Sequence, residues 1–269
     1  MKNTTHSSYP QRIVCMTEES VELLYDLGLE EKIVGVSTYV RRPEKARKLP
    51  KVTAFTHANL KKILQLKPDL VLGFSDIQKD IAKDLIGAGL NVFITNQRSI
   101  SEIFSYLSQI SALVGAAVEG DAYVRDLEHK YDHLKSQGQN IKHKPKVYLE
   151  EWDEPMITGI HWFSELVQAA GGEVCFAEKS QGAMAQDRFV SAAEVREANP
   201  DIILACWCGK KVDIQAIKSR EGWSEIEAVK NDQVIELEPE IFLQPGPALI
   251  KDGLGILIQV FEKWSKDQV

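Results

Sequence analysis

The sequence lacks long apolar runs, paired-cysteine motifs and any surplus of positive charge. No stretch approaches the ~18 consecutive apolar residues that a membrane helix needs. Lys and Arg number 32 against 39 Asp and Glu, and the resulting net charge of −7 disfavours a nucleic-acid partner. Of the four cysteines, the closest pair is Cys206 and Cys208, whose spacing is not the Cys-x-x-Cys of zinc and thioredoxin sites. We therefore predict structural thiols in a protein that neither inserts into membranes nor binds nucleic acid.

Sequence motifs of catalysis are also missing. The chain has no Gly-x-Gly-x-x-Gly run, no phosphate-binding loop and no nucleophile elbow. We therefore predict that the protein is not an enzyme. One alternative is a metal-dependent enzyme that uses an acidic cluster, Glu150, Glu151 and Asp153, together with His161 downstream. A third class, an interaction module without a small ligand, is the remaining alternative.

The N-terminal segment, residues 1–10, is polar and contains no apolar core of a secretory signal and no lipid-anchor cysteine. Unpaired thiols fit a reducing compartment. These features predict a cytoplasmic location, and the alternative is a periplasmic protein whose leader has been removed.

Short β-branched runs alternate with longer amphipathic stretches along most of the chain, which is typical of parallel sheets covered by helices. In the first half the predicted strands are 12–16, 33–36, 70–73 and 92–95, and the predicted helices are 18–27, 60–66, 77–88 and 102–114. We place helix N-caps at Thr17, Asn59, Asp76 and Ser101. In the second half, strands are predicted at 146–151, 202–206 and 234–237 and helices at 163–170, 192–198 and 249–264.

Residues 118–137 interrupt this alternation. They contain no proline and no internal glycine except Gly120, and apolar residues recur at helical spacing, which predicts one long helix of about five turns. The predicted fold is therefore α/β, with two Rossmann-like lobes joined by a single long backbone helix. The predicted boundaries are 11–117 for the N-terminal lobe, 118–143 for the linking helix and 144–269 for the C-terminal lobe.

A weak internal repeat flanks the long helix. Residues 59–72 and 191–204 both consist of a capped helix, a Pro-Asp pair and a buried strand, and the two copies are 132 residues apart. Proline ends each helix because it lacks an N–H and disfavours helical geometry in the residue before it. Two copies in register support two similar lobes.

In open parallel sheets, ligands bind at the carboxyl ends of the strands. We therefore expect the loops that follow the strands to contact a ligand held in a cleft between the lobes. These loops are rich in aromatic side chains, which offer rigid surface to a flat ligand. The candidate binding residues are Glu18, Tyr39, Phe55, His57, Phe74, Trp152, His161, Trp162, Trp207, Glu240, Phe242 and Gln244.

Several segments resemble one family of binding proteins. They are the run 34–39, the segment 59–72, the long central helix and Ala170-Gly171-Gly172. Together they are similar to the periplasmic-binding-protein-like family with a helical backbone, whose members bind vitamin B12, haem or iron–siderophores for ABC importers. The resemblance extends from about Arg12 to Trp264, and the Ser-Thr-Tyr39 loop is most similar to the cobalamin-binding branch.

This resemblance implies non-catalytic binding of cobalamin or a related corrinoid, for uptake or intracellular handling. The alternative is haem or an iron–siderophore. Tyr39 matches a cobalamin-contacting tyrosine, and Phe55 lies near the position of a stacking aromatic. Glu240 and Gln244 fall where the family has polar contacts to corrin side chains, but they replace the usual Asp and Arg.

The family also implies a permease partner, which docks on one glutamate from each lobe. At the corresponding positions this chain has Lys61 and Ala193, and Glu194 lies one residue beyond the second. The charge reversal and the missing charge predict weak permease docking.

Two histidines, His57 and His161, fall in loops expected to face the ligand. Neutral imidazole is a good cobalt ligand. Either histidine is therefore a candidate metal ligand, with His161 preferred because it adjoins Trp162, and the alternative is that each only hydrogen-bonds a corrin amide or the backbone.

Overall fold

The computed structural model describes residues 8–268, so residues 1–7 of the polar N-terminal segment and Val269 lie outside the described part. The chain divides into two compact units. The N-terminal unit comprises the chain up to Gln97 with Ser101–Leu127, and the C-terminal unit comprises Arg98–Ile100 with the chain from Glu128 onward. Each unit is built on a largely parallel sheet with helices, which confirms the predicted fold class.

The sheet of the N-terminal unit has six strands in the order β4-β3-β2-β1-β5-β6, and β4 alone runs antiparallel to its neighbour. The strands are β1 (Ile13–Cys15), β2 (Ile33–Ser37), β3 (Lys51–Ala54), β4 (His57–Ala58), β5 (Leu70–Phe74) and β6 (Val92–Thr95). The four predicted strands are confirmed. The hairpin of β3 and β4 was not predicted, because its strands are short and one of them contains His57.

The helices of the first half are α1 (Glu18–Asp26), α2 (Leu60–Leu66), α3 (Lys79–Gly87) and α4 (Ile100–Leu113), and short 3₁₀ turns span Glu30–Lys32, Glu44–Lys48 and Asp76–Gln78. The Asn59 side chain caps α2 by accepting from the Lys62 N–H. Thr17 is the N-cap residue of α1, as predicted, although its side chain makes no capping hydrogen bond. The other two predicted caps are wrong, because Asp76 belongs to a 3₁₀ turn and Ser101 lies inside α4.

The predicted long helix is α5 (Ala117–Gln139), one residue longer at its start and two at its end than expected. The boundary between the units falls within it, after Leu127. Its last turn packs closely against the Ala169–Gly171 segment. A Cβ on Gly138 would lie 2.5 Å from the Ala169 carbonyl oxygen, and Gly171 has a φ of +93°, so the close approach depends on glycine at both positions.

The sheet of the C-terminal unit has the order β11-β10-β7-β8, with β9 also paired to β7. The strands are β7 (Lys146–Asp153), β8 (Met156–Thr158), β9 (Glu173–Val174), β10 (Ile202–Ala205) and β11 (Val234–Glu236). The helices are α6 (His161–Ala169), α7 (Ala192–Ala198), α8 (Ile214–Lys218), α9 (Glu227–Lys230), α10 (Pro239–Phe242) and α11 (Leu254–Lys266), which continues a π-helical turn at Leu249–Gly253. His161 was expected in a loop, but it begins α6.

The internal repeat is confirmed in atomic detail. Asn59 and Ser191 cap their helices through side-chain oxygens, and both helices end on a left-handed residue before the proline, Lys67 (φ 49°) and Asn199 (φ 45°). The aspartate that follows the proline then accepts a hydrogen bond from the backbone N–H of the residue at the start of the first strand of its unit. Asp69 accepts from Arg12, at 2.9 Å, and Asp201 accepts from Lys146, at 2.8 Å.

Candidate functional site

The carboxyl ends of β1 and β5 form the switch point of the N-terminal sheet, because chain connections run to opposite sides of these two neighbouring strands. Ligands of open α/β sheets bind at such points. Tyr39 follows β2 and is 48% exposed. Phe55, at the tip of the β3–β4 hairpin, is half-buried, and Phe74, at the end of β5, is buried. Tyr39 and Phe55 are therefore the aromatic side chains that this edge offers to a ligand.

Gln78 fixes the position of Phe55. Its side chain donates to the Phe55 carbonyl at 3.0 Å and accepts from the Phe74 N–H at 3.1 Å. Gln78 is fully buried, so these bonds are shielded from water. No local sequence pattern indicates this role, because a glutamine beside a helix start is usually exposed.

Glu18 is buried at the start of α1, so its side chain stabilises the local structure and presents little surface to a ligand. Its carboxylate accepts hydrogen bonds from the backbone N–H groups of Arg41, at 2.8 Å, and Arg42. Arg42 also pairs with Glu22 at 3.2 Å. Glu18 thus anchors the loop that carries Tyr39.

Glu19 is buried beside Glu18. Its carboxyl group accepts a hydrogen bond from the Thr17 hydroxyl, and no partner is found for its second oxygen among the described residues. Burial, only partly offset by the Thr17 bond, raises the pKa of Glu19 from 4.5 to about 7.

A groove of about 540 Å³ lies at the carboxyl ends of β5 and β6. It is lined by Ser75, Asp76, Lys79, Ala82, Lys83, Ile86, Ile94 and Asn96. Ser75 has a φ of 74°, a strained conformation for a residue with a side chain. None of the candidate residues predicted from the sequence lines this groove, so we base no ligand assignment on it.

The switch point of the C-terminal sheet lies between β7 and β10, which carry Trp152 and Trp207 at their carboxyl ends. The ammonium of Lys210 lies 4.4 Å from the ring centroid of Trp152 and 4.7 Å from that of Trp207. It also donates to Asp153 at 2.6 Å. Trp152 is half-buried, whereas Trp207 is 2% exposed. Lys210 was missed because a lysine in a glycine-containing loop is usually a solvated surface residue.

The acidic cluster is neutralised by one cation for each carboxylate. Both oxygens of Glu150 accept from Arg220, and both oxygens of Glu151 accept from Arg188. With Asp153 bound to Lys210, the carboxylates have no shared face to present to a metal. Within residues 8–268, no group of three or more His, Cys, Asp or Glu side chains could hold a metal ion. The described residues of this cluster therefore do not form the shared carboxylate site that a metal-dependent enzyme would need.

Three candidate residues of the C-terminal unit are less accessible than expected. Trp162 and Phe242 are buried, and the Trp162 indole donates to the Phe242 carbonyl at 3.1 Å. The His161 ring has a partner at each nitrogen, Gln181 at 2.9 Å from Nδ1 and Glu165 at 3.5 Å from Nε2.

The remaining candidates, His57, Glu240 and Gln244, stay accessible. His57 is exposed on β4 and its Nδ1 lies 2.9 Å from the Thr56 hydroxyl. Glu240, in α10, and Gln244, after it, are half-buried. The four cysteines are free thiols, as predicted, and burial raises the pKa of Cys15 to about 12.

The positions aligned with permease docking are exposed in both units. Lys61 and Ala193 are the second residues of α2 and α7. The nearby Glu194 is already engaged, because its carboxylate accepts from the Ser191 N–H at 2.7 Å and from Lys179 at 2.6 Å. The hydrogen bond from Lys179, followed by those from Ser191, lowers the pKa of Glu194 to about 2.

Two α/β units, a long helix shared between them along the chain and aromatic side chains at the carboxyl ends of the strands are typical of a class of ligand-binding proteins. The family model for periplasmic binding proteins matches residues 13–241. The chain belongs to this family, and it is a substrate-binding protein of the ABC importer type.

Two curated relatives and one solved structure are similar to this chain. An uncharacterized ABC transporter substrate-binding lipoprotein, YvrC from Bacillus subtilis, is 29% identical over 93% of this chain and 80% of its own length. A vitamin B12-binding protein from Vibrio vulnificus is 29% identical over 88% of this chain and 85% of its own. The periplasmic heme-binding protein RhuT from Roseiflexus has the same fold, with a TM-score of 0.82, 21% identity and coverage of 95% of this chain and 99% of its own.

These relationships bear on partner and location. A substrate-binding protein of an ABC importer binds a small molecule and is consistent with a permease partner. The relatives are periplasmic proteins or lipoproteins, so the expected cytoplasmic location is not supported. Across residues 8–268, no helix has the length and apolar character that crossing a bilayer requires.

Proposed function

We propose that the protein binds cobalamin or a related corrinoid as the substrate-binding component of an ABC importer. The observation that carries this proposal is the pair of aromatic sheet edges, Tyr39 and Phe55 in one unit and Trp152 in the other, in a chain that is 29% identical to a vitamin B12-binding protein. A corrin is a large flat ring bordered by amides, and aromatic rings with polar edges suit both its face and its border.

Two polar residues of the C-terminal unit match the border of a corrin. Gln244 supplies both a donor and an acceptor for amide side chains, and Glu240 supplies an acceptor. Both are half-buried after the last strand of the C-terminal sheet. Haem, whose edge carries two carboxylates, gains less from Glu240, because like charges repel.

The test is isothermal titration of the purified protein with cyanocobalamin, hemin and a ferric siderophore in parallel. We expect cyanocobalamin to bind with the highest affinity and to co-elute with the protein in gel filtration. If hemin or the siderophore binds and cyanocobalamin does not, the assignment of a corrinoid is wrong and the compound that binds takes its place. Absence of binding by all three would overturn the proposal itself.

A pair of tyrosine variants locates the site. Tyr39→Ala is expected to weaken cobalamin binding by about 1–3 kcal/mol, as for a central aromatic anchor. Tyr9→Ala is the matched control, because Tyr9 is similarly exposed, at 52%. Tyr9 precedes β1, at the amino ends of the parallel strands, whereas Tyr39 follows β2, at their carboxyl ends. Equal effects of the two substitutions would contradict the assignment of Tyr39.

A further inference from the structure

The cluster of Trp152, Trp207 and Asp153 has the composition of a binding site for an ammonium group. Two indole faces attract a cation through their ring quadrupoles. The Asp153 carboxylate adds an opposite charge and a hydrogen-bond acceptor. All three lie at the switch point of the C-terminal sheet, where ligands of such sheets bind.

The walls of this cluster are held without help from the lysine inside it. The Trp152 indole donates to the Glu154 carbonyl at 3.0 Å. The Trp207 indole donates at 3.2 Å to Glu150, which Arg220 holds in turn. Both rings are therefore fixed by bonds that remain when Lys210 is removed.

The lysine that contacts these rings is accessible to solvent. Its side chain is 41% exposed, and it lies in the segment after β10 that contains Gly209, with a φ of +83°. Among the described residues its ammonium makes one hydrogen bond, to Asp153, and it lies over the two indole faces. An exposed lysine loses considerable side-chain entropy on being fixed, so another ammonium group could replace it at modest cost.

We propose that Trp152, Trp207 and Asp153 form a binding site for a primary alkylammonium group, which the chain's own Lys210 occupies until a ligand displaces it. A primary ammonium fits better than a quaternary one, because Asp153 accepts a hydrogen bond that a quaternary nitrogen does not have. This site shares Trp152 with the proposed corrinoid-binding edge, but the inference does not depend on corrinoid binding, and its test uses no corrinoid.

The experiment is chemical rescue of a lysine variant. Lys210→Ala removes the three outer carbons and the nitrogen of the side chain, which n-propylammonium restores. We expect n-propylammonium to bind Lys210→Ala at millimolar concentration and the wild type at least tenfold more weakly, since the tethered lysine competes. The tetramethylammonium ion is expected to bind Lys210→Ala more weakly than n-propylammonium.

The readout is the set of indole N–H resonances in two-dimensional NMR spectra, one for each of the five tryptophans. Binding at the proposed site is expected to move the Trp152 and Trp207 signals and to leave those of Trp162, Trp223 and Trp264 in place. A dispersed spectrum of Lys210→Ala also shows that the variant is folded.

Lys211→Ala is the matched control, because Lys211 is the next residue in the same loop and is exposed. It is expected to behave like the wild type. Failure of n-propylammonium to bind Lys210→Ala would overturn the proposal, as would equal affinity for Lys210→Ala and Lys211→Ala. Movement of the other indole signals instead of those of Trp152 and Trp207 would also overturn it.

Discussion

Arg220 holds the carboxylate of Glu150 through both terminal nitrogens of its guanidinium group. Glu150 is fully buried at the end of β7, and the Arg220 side chain is 18% exposed. The guanidinium carbon also lies 4.5 Å from the ring centroid of Trp223. The buried charge of Glu150 is therefore compensated by Arg220. Glu150 still accepts the hydrogen bond that orients the Trp207 indole.

Removing Arg220 should show how strongly the buried Glu150 carboxylate destabilises the fold when it has no cation beside it. We expect Arg220→Ala to lower the free energy of unfolding by about 3–5 kcal/mol, because it leaves an uncompensated carboxylate in the interior. Urea unfolding followed by circular dichroism measures the change. Lys218 lies two residues before Arg220 and forms a surface ion pair with Asp232. Lys218→Ala is therefore the control, and it should leave the unfolding midpoint near that of the wild type. Equal shifts in the two variants would show that Glu150 does not depend on Arg220.

Glu19 predicts a pH dependence of stability. Because its pKa in the folded state is raised from 4.5 to about 7, folding favours the neutral carboxyl group. Its contribution to stability is fully present below pH 4.5 and is lost as the pH rises to about 7, a change of about 3 kcal/mol. Glu19→Gln should therefore match the wild type at pH 4 and exceed it at pH 8.

The measurement is the difference in unfolding free energy between Glu19→Gln and the wild type across this range, from urea titrations at each pH. Glu262→Gln, at an exposed position in α11, is the control for a general effect of removing one carboxylate. A difference that stays constant from pH 4 to pH 8 would contradict the prediction.

The repeated aspartates predict similar losses in both units. Asp69→Ala and Asp201→Ala each remove a carboxylate that accepts from backbone N–H groups at the start of a strand. We expect each to lower the free energy of unfolding by about 1 kcal/mol, since these bonds are partly open to water. The Asn variants should lose less, because an amide oxygen still accepts. Denaturant unfolding measures both variants. A loss of unfolding free energy in only one of them would show that the two anchors are not equivalent.

The histidines remain candidate cobalt ligands under the proposed function. Both ring nitrogens of His161 are engaged by Gln181 and Glu165, whereas Nδ1 of His57 contacts Thr56. We therefore expect His161→Ala to leave the visible spectrum of the bound corrinoid unchanged, and His57→Ala to shift it. Identical spectra for the wild type and both variants would exclude cobalt ligation by either residue.

The fold was predictable to the extent that it depends on local pattern. The buried strands and the long helix follow from apolar periodicity and from the absence of helix breakers. The Pro-Asp repeat could be recognised from the sequence because proline and capping residues act within a few positions of the chain. The hairpin of β3 and β4 was not, because a two-residue strand has too few side chains to show alternation.

The site was predictable only as a set of loops. Burial and pairing depend on residues distant in sequence, as Arg220 is from Glu150 and Gln78 is from Phe55. Trp152 and Trp207 were expected to face a ligand directly, but Lys210 covers both rings. No local pattern distinguishes such a lysine from a solvated one, which is why the sequence predicted the aromatic wall without the cation on it.

The aspartate anchors of the repeat lie at the amino ends of the strands, whereas the aromatic and polar side chains proposed to contact ligand lie at the carboxyl ends. Substitutions of the aspartate anchors therefore act at one edge of each sheet, and substitutions of the side chains proposed to contact ligand act at the other. A duplicated unit of this kind is evolvable, because one edge can diversify toward a new ligand while the opposite edge preserves the scaffold.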